Sequence, residues 1–276
     1  MDKNTLCFSV CTSVYRNDNP EYVQQAFDSL IGQTHCPDEI IVVIDGPVSN
    51  ELYSVVREYA DKYSIFNIVE FEENRGLGQA MRTAVEVAKY DIVARMDSDD
   101  IAVPNRFEEQ LLFLGKNPDI TMVGGQIDEF IDTPNNIVGS RIVPQCNEDI
   151  YKYLKSRCPF NHMTVMFRKA DVLAVGNYQD WHYNEDYYLW IRMAEAGCRF
   201  ANLPDTLVNV RVGKDMYQRR GGWKYFKSEA GLQKYMLRHK IISLPRYLYN
   251  VFGRFVIQVV MPNWLRGFVF QKLFRK

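Results

Sequence analysis

The first hundred residues alternate between short apolar runs and segments with helical periodicity, and this alternation restricts the fold more than any other feature. Four runs rich in Val and Ile are predicted to be buried strands: residues 6–14, 39–44, 66–71 and 90–96. Between them, helical spacing of apolar residues predicts helices over 20–32, 49–63 and 77–89. This order predicts an open, mostly parallel α/β sheet with right-handed crossovers, whose ligands bind beyond the carboxyl ends of the strands.

The second half of the chain has a less regular pattern. It predicts a helix over 104–117, strands over 120–131, 137–143 and 162–169, and helices over 184–196 and 217–238. No segment before about residue 229 has the composition of a linker. We therefore expect one domain over residues 1–229, followed by a basic amphipathic helical tail over 230–276.

The charge of the chain is distributed unevenly. The formal net charge is −1, but Glu229 is the last acidic residue and nine basic residues follow it, so the first 229 residues carry −10. The tail mixes Arg and Lys with aromatic and aliphatic residues, which is typical of a helix lying in a membrane interface. A helical pair packed on the domain and an oligomer interface remain alternatives. Nucleic acid is a poor partner because the negative charge of the first 229 residues would repel it.

The N-terminus and the cysteines bear on location. The first apolar run is short, is broken by Ser and Thr, and lacks the cleavage site of a signal peptide. No run reaches the roughly 18 to 20 apolar residues that a membrane-spanning helix needs. The six cysteines form no CxxC pair, which favours reduced thiols in a cytoplasmic protein.

Acidic residues follow two of the predicted strands directly. Asp45 ends the second strand, and Asp97, Asp99 and Asp100 end the fourth, so these carboxylates should converge at one edge of the sheet. Hard cations such as Mg²⁺ and Mn²⁺ prefer carboxylate oxygens and share their coordination shell with substrate phosphates. Alternatively, the aspartates cap the helix predicted near Pro104, where the helix dipole favours negative charge.

A second acidic site occurs in the segment NEDYYLWIRM, residues 184–193. Asn184 is a candidate N-cap, which puts Asp186 in the first turn of a helix, on the same face as Leu189, Trp190 and Met193. An acid on an apolar face should have a raised pKa, as suits a general base. An ordinary first-turn acid favoured by the dipole fits the spacing equally well.

A third element is the glycine-containing segment NRGLGQAMR, residues 74–82. Its glycines allow close approach to a helix N-terminus, which can bind anionic groups. Arg75 and Arg82 could face a nucleotide there, although both also fit as ordinary surface arginines. The segment matches neither of the common phosphate-loop patterns.

Taken in order, these segments resemble the family 2 glycosyltransferases of the GT-A fold. The similarity runs over about residues 6–215 and is carried by four stretches: FSVCTSVYRNDNPEYVQQAFDSLIGQT, DEIIVVIDG, NRGLGQAMRTAVEVAKYDIVARMDSDD and NED. The segment CPFNHMTVMFRK is most similar to bacterial enzymes that build O-antigen (lipopolysaccharide), capsule or exopolysaccharide repeat units.

The resemblance implies a role for individual residues in binding a UDP-sugar. It implies that Thr12, Ser13 and Tyr15 line the uridine pocket, Asp45 contacts the uracil or ribose, Asp97 contacts the ribose or donor sugar, Asp99 ligates Mn²⁺ or Mg²⁺, and Asp186 is the base. His162, Glu185 and Trp181 are further candidates for contact with the acceptor or a phosphate. The chain departs from the family where Ile44-Asp45-Gly46-Pro47 replaces Asp-Asp-Gly-Ser, so one acid is missing.

The expected activity follows from this resemblance. The segment QRRGGW, residues 218–223, is only a partial match to the Gln-x-x-Arg-Trp signature of processive members, which favours transfer of a single sugar. We expect an inverting, non-processive transferase that forms a β-linkage on a polyprenyl-diphosphate-linked or other glycan acceptor, at the inner face of the cell membrane. The alternatives are a non-catalytic UDP-sugar-binding or scaffold protein, and a sugar nucleotidyltransferase. The glycine- and lysine-rich loop of the latter class is absent.

Overall fold

The computed structural model describes residues 6–213 and 221–262, in which strands and helices alternate through most of the chain. The strands are β1 (Phe8–Val14), β2 (Glu39–Ile44), β3 (Phe66–Glu70), β4 (Ile92–Arg95), β5 (Ile101–Ala102), β6 (Met122–Phe130), β7 (Ile137–Arg141), β8 (Met166–Arg168) and β9 (Phe200–Arg211). The helices are α1 (Pro20–Ile31), α2 (Asn50–Lys62), α3 (Leu77–Val87), α4 (Arg106–Lys116), α5 (Asn147–Leu154), α6 (Lys169–Ala174), α7 (Glu185–Glu195), α8 (Trp223–Arg238) and α9 (Leu244–Phe255). A 3₁₀ turn spans His162–Thr164 and a π-helical turn spans Val256–Val260.

The strands form one mixed sheet in the order β3-β2-β1-β4-β8-β6-β9-β5, with β7 paired to β6. Strands β1 to β4 pair in parallel, and β8 runs antiparallel between β4 and β6. The four predicted strands of the first hundred residues and the three helices between them are all present, within two residues of their predicted ends. The structure confirms the predicted α/β fold, with its mostly parallel first half.

Helices cover both faces of the sheet because the buried strands are apolar on both sides. Val10 and Val42 face one core cluster, which α1, α2 and α4 complete. Cys11 and Ile41, one position away on the same strands, face a second cluster, which α3, α5, α7 and α8 complete. The side chains alternate between the two faces, and helices cover both. Ligands are therefore expected at the edge formed by the carboxyl ends of β1, β2 and β4.

The strand predicted over 162–169 is shorter than expected. Residues His162–Thr164 form the 3₁₀ turn, and only Met166–Arg168 joins the sheet. The Thr164 hydroxyl donates to the carbonyl of Asn161 at 2.8 Å and accepts from the backbone N–H of Gly125 at 3.0 Å. The bond to Asn161 is local, whereas the bond to Gly125 reaches a distant part of the chain. Both compete with ladder pairing, and the backbone turns before β8 begins.

The described part of the predicted tail packs on the domain. Helix α8 continues across residue 229, and its residues Leu232 and Met236 are buried in the same cluster as α7. No helix within residues 6–213 and 221–262 is long and apolar enough to cross a membrane. The division at residue 229 stays a prediction. The end of the tail and residues 218–220 of the QRRGGW segment lie outside the described residues.

Candidate active site

The aspartates after β4 take three different roles. Asp100 is buried, and its Oδ1 accepts the backbone N–H of Arg211 at 2.9 Å, which ties the loop to β9. Helix α4 begins only at Arg106, and its N-cap Asn105 makes no side-chain cap hydrogen bond. The alternative in which the aspartates cap this helix is therefore wrong.

Asp97 is paired with a buried cation. Its Oδ1 lies 2.5 Å from Nη2 of Arg95, whose side chain is 3% exposed. The Nε and Nη1 groups of Arg95 have no hydrogen-bond partner in the described part of the chain. Because these two nitrogens are buried, the positive charge of Arg95 is poorly screened and stabilises negative charge on nearby groups.

The side chain of Asp99 reaches solvent at the edge of the sheet, but the protein around it removes part of its hydration. Desolvation, and second the negative charge of Asp97, raise the pKa of Asp99 to about 6. A cation bound between the two carboxylates would relieve this repulsion, so the donor set fits Mg²⁺ or Mn²⁺. Among the described residues, no group of three or more His, Cys, Asp or Glu side chains is arranged as a metal site. A metal held here would complete its coordination shell with substrate phosphate and water.

Asp18 is a further acid at this edge that the sequence reasoning missed. Its Oδ2 accepts the Ser98 hydroxyl at 2.9 Å and the backbone N–H of Tyr15 at 3.1 Å. Burial is the main reason that the pKa of Asp18 rises to about 7. The signal in the sequence was an acid shortly after a predicted parallel strand, the same signal that identified Asp45.

Asp45 anchors the start of α3. Its carboxylate accepts the side-chain amide of Asn74 at 2.9 Å and the backbone N–H groups of Arg75 and Gly76 at 2.6 and 2.9 Å. With most of its acceptor capacity used, Asp45 positions this loop next to the sheet edge. Its predicted contact with the uracil or ribose stays a prediction.

The remaining predicted donor-site residues lie at or near this edge. Thr12 is buried on β1, and its Oγ1 has no hydrogen-bond partner in the described residues, while Ser13 and Tyr15 are half-buried. Arg75 is exposed, and its guanidinium lies over the ring of Phe71, with Cζ 4.8 Å from the ring centroid. Arg82 pairs with Glu86 at 3.1 Å and donates to the carbonyl of Tyr178 at 3.3 Å.

Helix α7 brings its two acids to this region. Asn184 immediately precedes the helix, as expected, but its side-chain amide donates to the hydroxyl of Ser228 at 3.0 Å instead of capping. A Cβ placed on Gly78 of α3 would lie 3.3 Å from Cβ of Glu185, so the two helix starts nearly touch. Burial, followed by the charge of Asp186, raises the pKa of Glu185 to about 7.

Asp186 has the properties expected of a general base. Burial raises its pKa above the ordinary value, and Leu189, Trp190 and Met193 are fully buried, as their shared helix face predicts. Its Oδ1 accepts the backbone N–H of Tyr187 at 2.6 Å. The charge of Arg95 lowers the pKa of both Asp186 and Asp99. The buried guanidinium of Arg95 therefore lowers the pKa at both acidic sites, that of Asp99 and that of Asp186.

Two other candidates have structural partners. His162 Nε2 lies 2.8 Å from the hydroxyl of Tyr178, and desolvation, followed by the charge of Arg95, keeps the pKa of His162 well below its usual range. The imidazole is therefore neutral at pH 7. Trp181 donates from Nε1 to the carbonyl of Ser228 at 3.1 Å and thereby holds α8 against the start of α7.

A cavity of about 630 Å³ opens beside Asp186. Its lining residues come from the segments around β7 and β8, the start of α7, and the C-terminal helices: Arg141, Ser156, Arg157, Cys158, Phe160, His162, Met163, Tyr183, Asn184, Asp186, Tyr225, Glu229, Tyr249, Asn250, Gly253, Arg254, Ile257 and Gln258. A base at the wall of a cavity of this size can act on a bound alcohol.

Comparison with known families is consistent with this geometry. The model of Glycosyl transferase family 2 matches residues 9–173, and that of Glycosyl transferase family group 2 matches residues 92–273. The first match covers the sheet edge with its aspartates, and the second adds α7 and the C-terminal helices.

Three curated relatives match along nearly their whole length. An uncharacterised glycosyltransferase of Haemophilus influenzae is 42% identical, with 98% of this chain and 99% of the relative covered. The amylovoran biosynthesis glycosyltransferase AmsE of Erwinia amylovora is 41% identical, with 96% and 98% covered. The UDP-Gal:alpha-D-GlcNAc-diphosphoundecaprenol beta-1,3-galactosyltransferase of Escherichia coli is 36% identical, with 100% and 99% covered.

Solved structures share the fold at low sequence identity. A mannosyltransferase from Pyrobaculum calidifontis, in complex with GDP-Man and Mn²⁺, gives a TM-score of 0.65 at 18% identity and covers 96% of this chain and 73% of its own. Residues 1–349 of S. aureus TarS give 0.66 at 17% identity and cover 96% and 74%. At these identities the likeness establishes the fold.

Proposed function

The chain belongs to glycosyl transferase family 2, and from this premise we propose that it moves one hexose or N-acetylhexosamine from a UDP-sugar to a lipid-linked glycan acceptor. The chain is a glycosyltransferase. The proposal adds the donor, the acceptor and the residues that act on them. Its main support is the position of Asp186 at the wall of the cavity, together with Arg95, whose charge lowers the pKa of both Asp186 and Asp99.

Asp186 is the proposed base. As the acceptor oxygen attacks the anomeric carbon of the donor, the carboxylate of Asp186 takes the proton of that hydroxyl. Attack from the face opposite UDP inverts the anomeric centre, so an α-linked donor gives a β-linkage. Arg95 lowers the pKa of Asp186 and so favours the ionised form, which accepts the proton.

Asp99 is the proposed cation ligand, and Asp97, which pairs with Arg95, is the proposed contact to the ribose or donor sugar. Mg²⁺ or Mn²⁺ held by Asp99 would neutralise the charge that develops on the departing UDP diphosphate. Asp45 and the 74–76 loop position the start of α3 beside that diphosphate, where the helix N-terminus favours negative charge.

The choice of donor and acceptor is supported by relatives. The name of the Escherichia coli relative states a UDP-galactose donor and a GlcNAc-diphosphoundecaprenol acceptor, and that protein aligns with the whole of this chain. AmsE is named for amylovoran biosynthesis, which is polysaccharide synthesis as well. Membership of this family of transferases also decides against the alternatives of a scaffold protein and a sugar nucleotidyltransferase.

A peripheral position on the inner membrane face completes the proposal. Helix α9 exposes Leu244, Leu248, Tyr249 and Phe252, each more than half exposed, and no acidic residue follows Glu229 in the chain. An apolar helix face within a basic segment suits an anionic lipid surface. Such docking would bring the cavity to a membrane-borne acceptor.

The experiment that tests the proposal is UDP release from a panel of UDP-sugars, with synthetic diphospho-lipid acceptors and with or without Mn²⁺. Asp186→Asn and Asp99→Asn should each lower the rate by about 10²- to 10⁴-fold, because each removes a group that acts in the transition state. Asp186→Asn should still bind UDP with the affinity of the parent.

Asp205→Asn, an exposed acid on β9, is the control and should keep the rate of the parent. If Asp186→Asn and Asp99→Asn release UDP as fast as the parent, the assigned roles are wrong. If no UDP-sugar yields UDP with the parent itself, the proposed donor class is wrong.

A further inference from the structure

The cavity beside Asp186 is built jointly by the domain and the C-terminal helices. Asp186 and Tyr183 line it from the domain, whereas Tyr225 comes from α8 and Tyr249 from α9. Its volume of about 630 Å³ lies within the range of roughly 300 to 1,000 Å³ that is usual for ligand sites. The predicted tail therefore contributes directly to a compartment that contains the proposed base.

Polar contacts fix the C-terminal wall against the domain. Arg254 of α9 forms an ion pair with Glu229 of α8, and its Nη2 donates to the carbonyl of Ser156 at 2.6 Å. Asn250 donates to the carbonyl of Lys155 at 2.9 Å. Buried contacts of this kind specify one arrangement of the two helices, so the cavity has a defined shape.

Two unusual backbone features border the cavity. The π-helical turn Val256–Val260 carries Ile257 into the lining, and π-helical turns occur most often at functional sites. Tyr183 has a left-handed backbone with φ of 57°, which is costly for a residue with a large side chain, and its ring is exposed. Both features are of kinds that occur most often at functional sites, which supports a ligand in this cavity.

The chemistry of the lining indicates what that ligand is. The aromatic side chains Tyr183, Tyr225 and Tyr249 offer flat faces and hydroxyl groups, which suit a sugar ring. Three arginines, Arg141, Arg157 and Arg254, and two acids, Asp186 and Glu229, are among the lining residues. The excess of cations favours a sugar that carries an anionic link.

We infer that the helix pair α8–α9 forms the acceptor-binding wall, with Tyr225 and Tyr249 holding a glycan whose diphosphate link lies among the arginines. This inference rests on the proposed function, because it assigns the acceptor of that reaction to the cavity. Tyr249 is 75% exposed, and it belongs to the same α9 surface as Leu248 and Phe252. A lipid chain attached to the diphosphate would leave the cavity along this surface.

Gly253 offers a way to fill the cavity without disturbing the fold. It lines the cavity in the last turns of α9, and a Cβ added there would meet no atom within 4 Å. Gly253→Leu therefore occupies open space and replaces a poor helix former by a good one. Gly115→Leu is a matched control, because Gly115 also lies in a helix, α4, with nothing within 4 Å of its Cβ position.

The experiment measures binding by calorimetry on the whole chain loaded with UDP. The probes are GlcNAc-diphosphate-decyl and the decyl glycoside of GlcNAc, which lacks the diphosphate. Gly253→Leu and Tyr249→Ala should each raise the Kd for GlcNAc-diphosphate-decyl at least about tenfold, since each changes a wall of the site. Neither should change the Kd for UDP, and Gly115→Leu should change neither affinity.

The outcomes separate this inference from the proposed function. The inference is overturned if the parent binds UDP but not GlcNAc-diphosphate-decyl, or if Gly253→Leu binds that probe as tightly as the parent. Equal affinity of the parent for the two probes contradicts the assignment of the diphosphate to the arginines. Failure of the parent to bind UDP overturns the proposed function instead.

Discussion

Asp186 accepts two hydrogen bonds, and the weaker one comes from a thiol. The Sγ of Cys158 lies 3.7 Å from Oδ2 of Asp186, while the backbone N–H of Tyr187 holds Oδ1. Burial and the nearby carboxylate raise the pKa of Cys158, so the thiol remains protonated and a donor at neutral pH. A donor to the charged form of a carboxyl lowers the pKa of that carboxyl.

Cys158→Ala should therefore shift the pH profile of the enzyme. Asp186 must be ionised to accept a proton, so activity is lost as the pH falls through its pKa. Removing the thiol raises that pKa further, and the acid limb of kcat/KM should move to higher pH. Cys36→Ala, at an exposed cysteine, should leave the profile unchanged. An acid limb that stays in place would show that the thiol does not influence the base.

Asp186→Asn should stabilise the fold while it abolishes activity. The pKa of Asp186 is raised from 3.8 in the folded protein, chiefly by burial, so the native state binds the proton more tightly than the unfolded state. The contribution of Asp186 to the free energy of unfolding therefore falls as the pH rises from 3.8 through the folded pKa. The Tm of the variant, measured across this pH range, should exceed that of the parent increasingly with pH. A parallel pair of Tm curves would contradict this.

At the scale of elements, the turn after β2 and the start of α3 fit together through a glycine. Gly46 has φ of 85°, and a Cβ there would lie 2.5 Å from the backbone nitrogen of Asn74. This approach is what allows Asp45 to reach the N–H groups of Arg75 and Gly76. The turn and the loop thus form one unit beside the donor site.

Gly46→Ala should disrupt this unit. The left-handed backbone and the collision together should lower the free energy of unfolding by about 2 kcal/mol or more. Moving the 74–76 loop should also weaken UDP binding. Thermal unfolding and calorimetry with UDP measure the two effects. Gly115→Ala, in the last turn of α4, should instead stabilise the protein by up to about 1 kcal/mol and leave UDP binding unchanged. A Gly46→Ala protein as stable as the parent would contradict the close approach.

The positions of most strands and helices could be predicted from the sequence, because the spacing of apolar residues in a strand or helix is a local property. The strand Glu39–Ile44 begins and ends where the pattern predicts. The segment at 162–169 was mispredicted because its backbone follows hydrogen bonds to Gly125, which is distant in the chain. The hydrogen bond from Trp181 to the carbonyl of Ser228 could not be predicted either, because the two residues are 47 positions apart. The contact of Trp181 with the acceptor or a phosphate stays a prediction.

At the scale of the whole molecule, the distribution of charge and apolar surface predicts how the protein meets a membrane. The first 229 residues, which carry the excess negative charge, should face away from an anionic lipid surface. The apolar face of α9 should lie against that surface. Replacing both Leu248 and Phe252 by Ser should lower binding to vesicles of anionic lipids at least about tenfold, since each residue contributes about 1.5–3 kcal/mol when buried.

Flotation of the protein with such vesicles measures this binding. Leu112→Ser is the control, because Leu112 is a half-exposed apolar residue on α4. It should float as the parent does. If the double variant also floats as the parent does, the apolar face of α9 does not contact the membrane.

The sequence by itself determined the parallel half of the sheet and the presence of carboxylates at its edge. Periodicity specifies strands, and acids that directly follow parallel strands must meet at one edge, whatever the loops do. The tertiary structure alone decided how those acids differ. Asp100 became an anchor for Arg211, Asp18 joined the edge, and Arg95 came to act on both Asp99 and Asp186. Only the folded chain brings α8 and α9 to the wall beside the base, because contacts between distant segments leave no mark in local spacing.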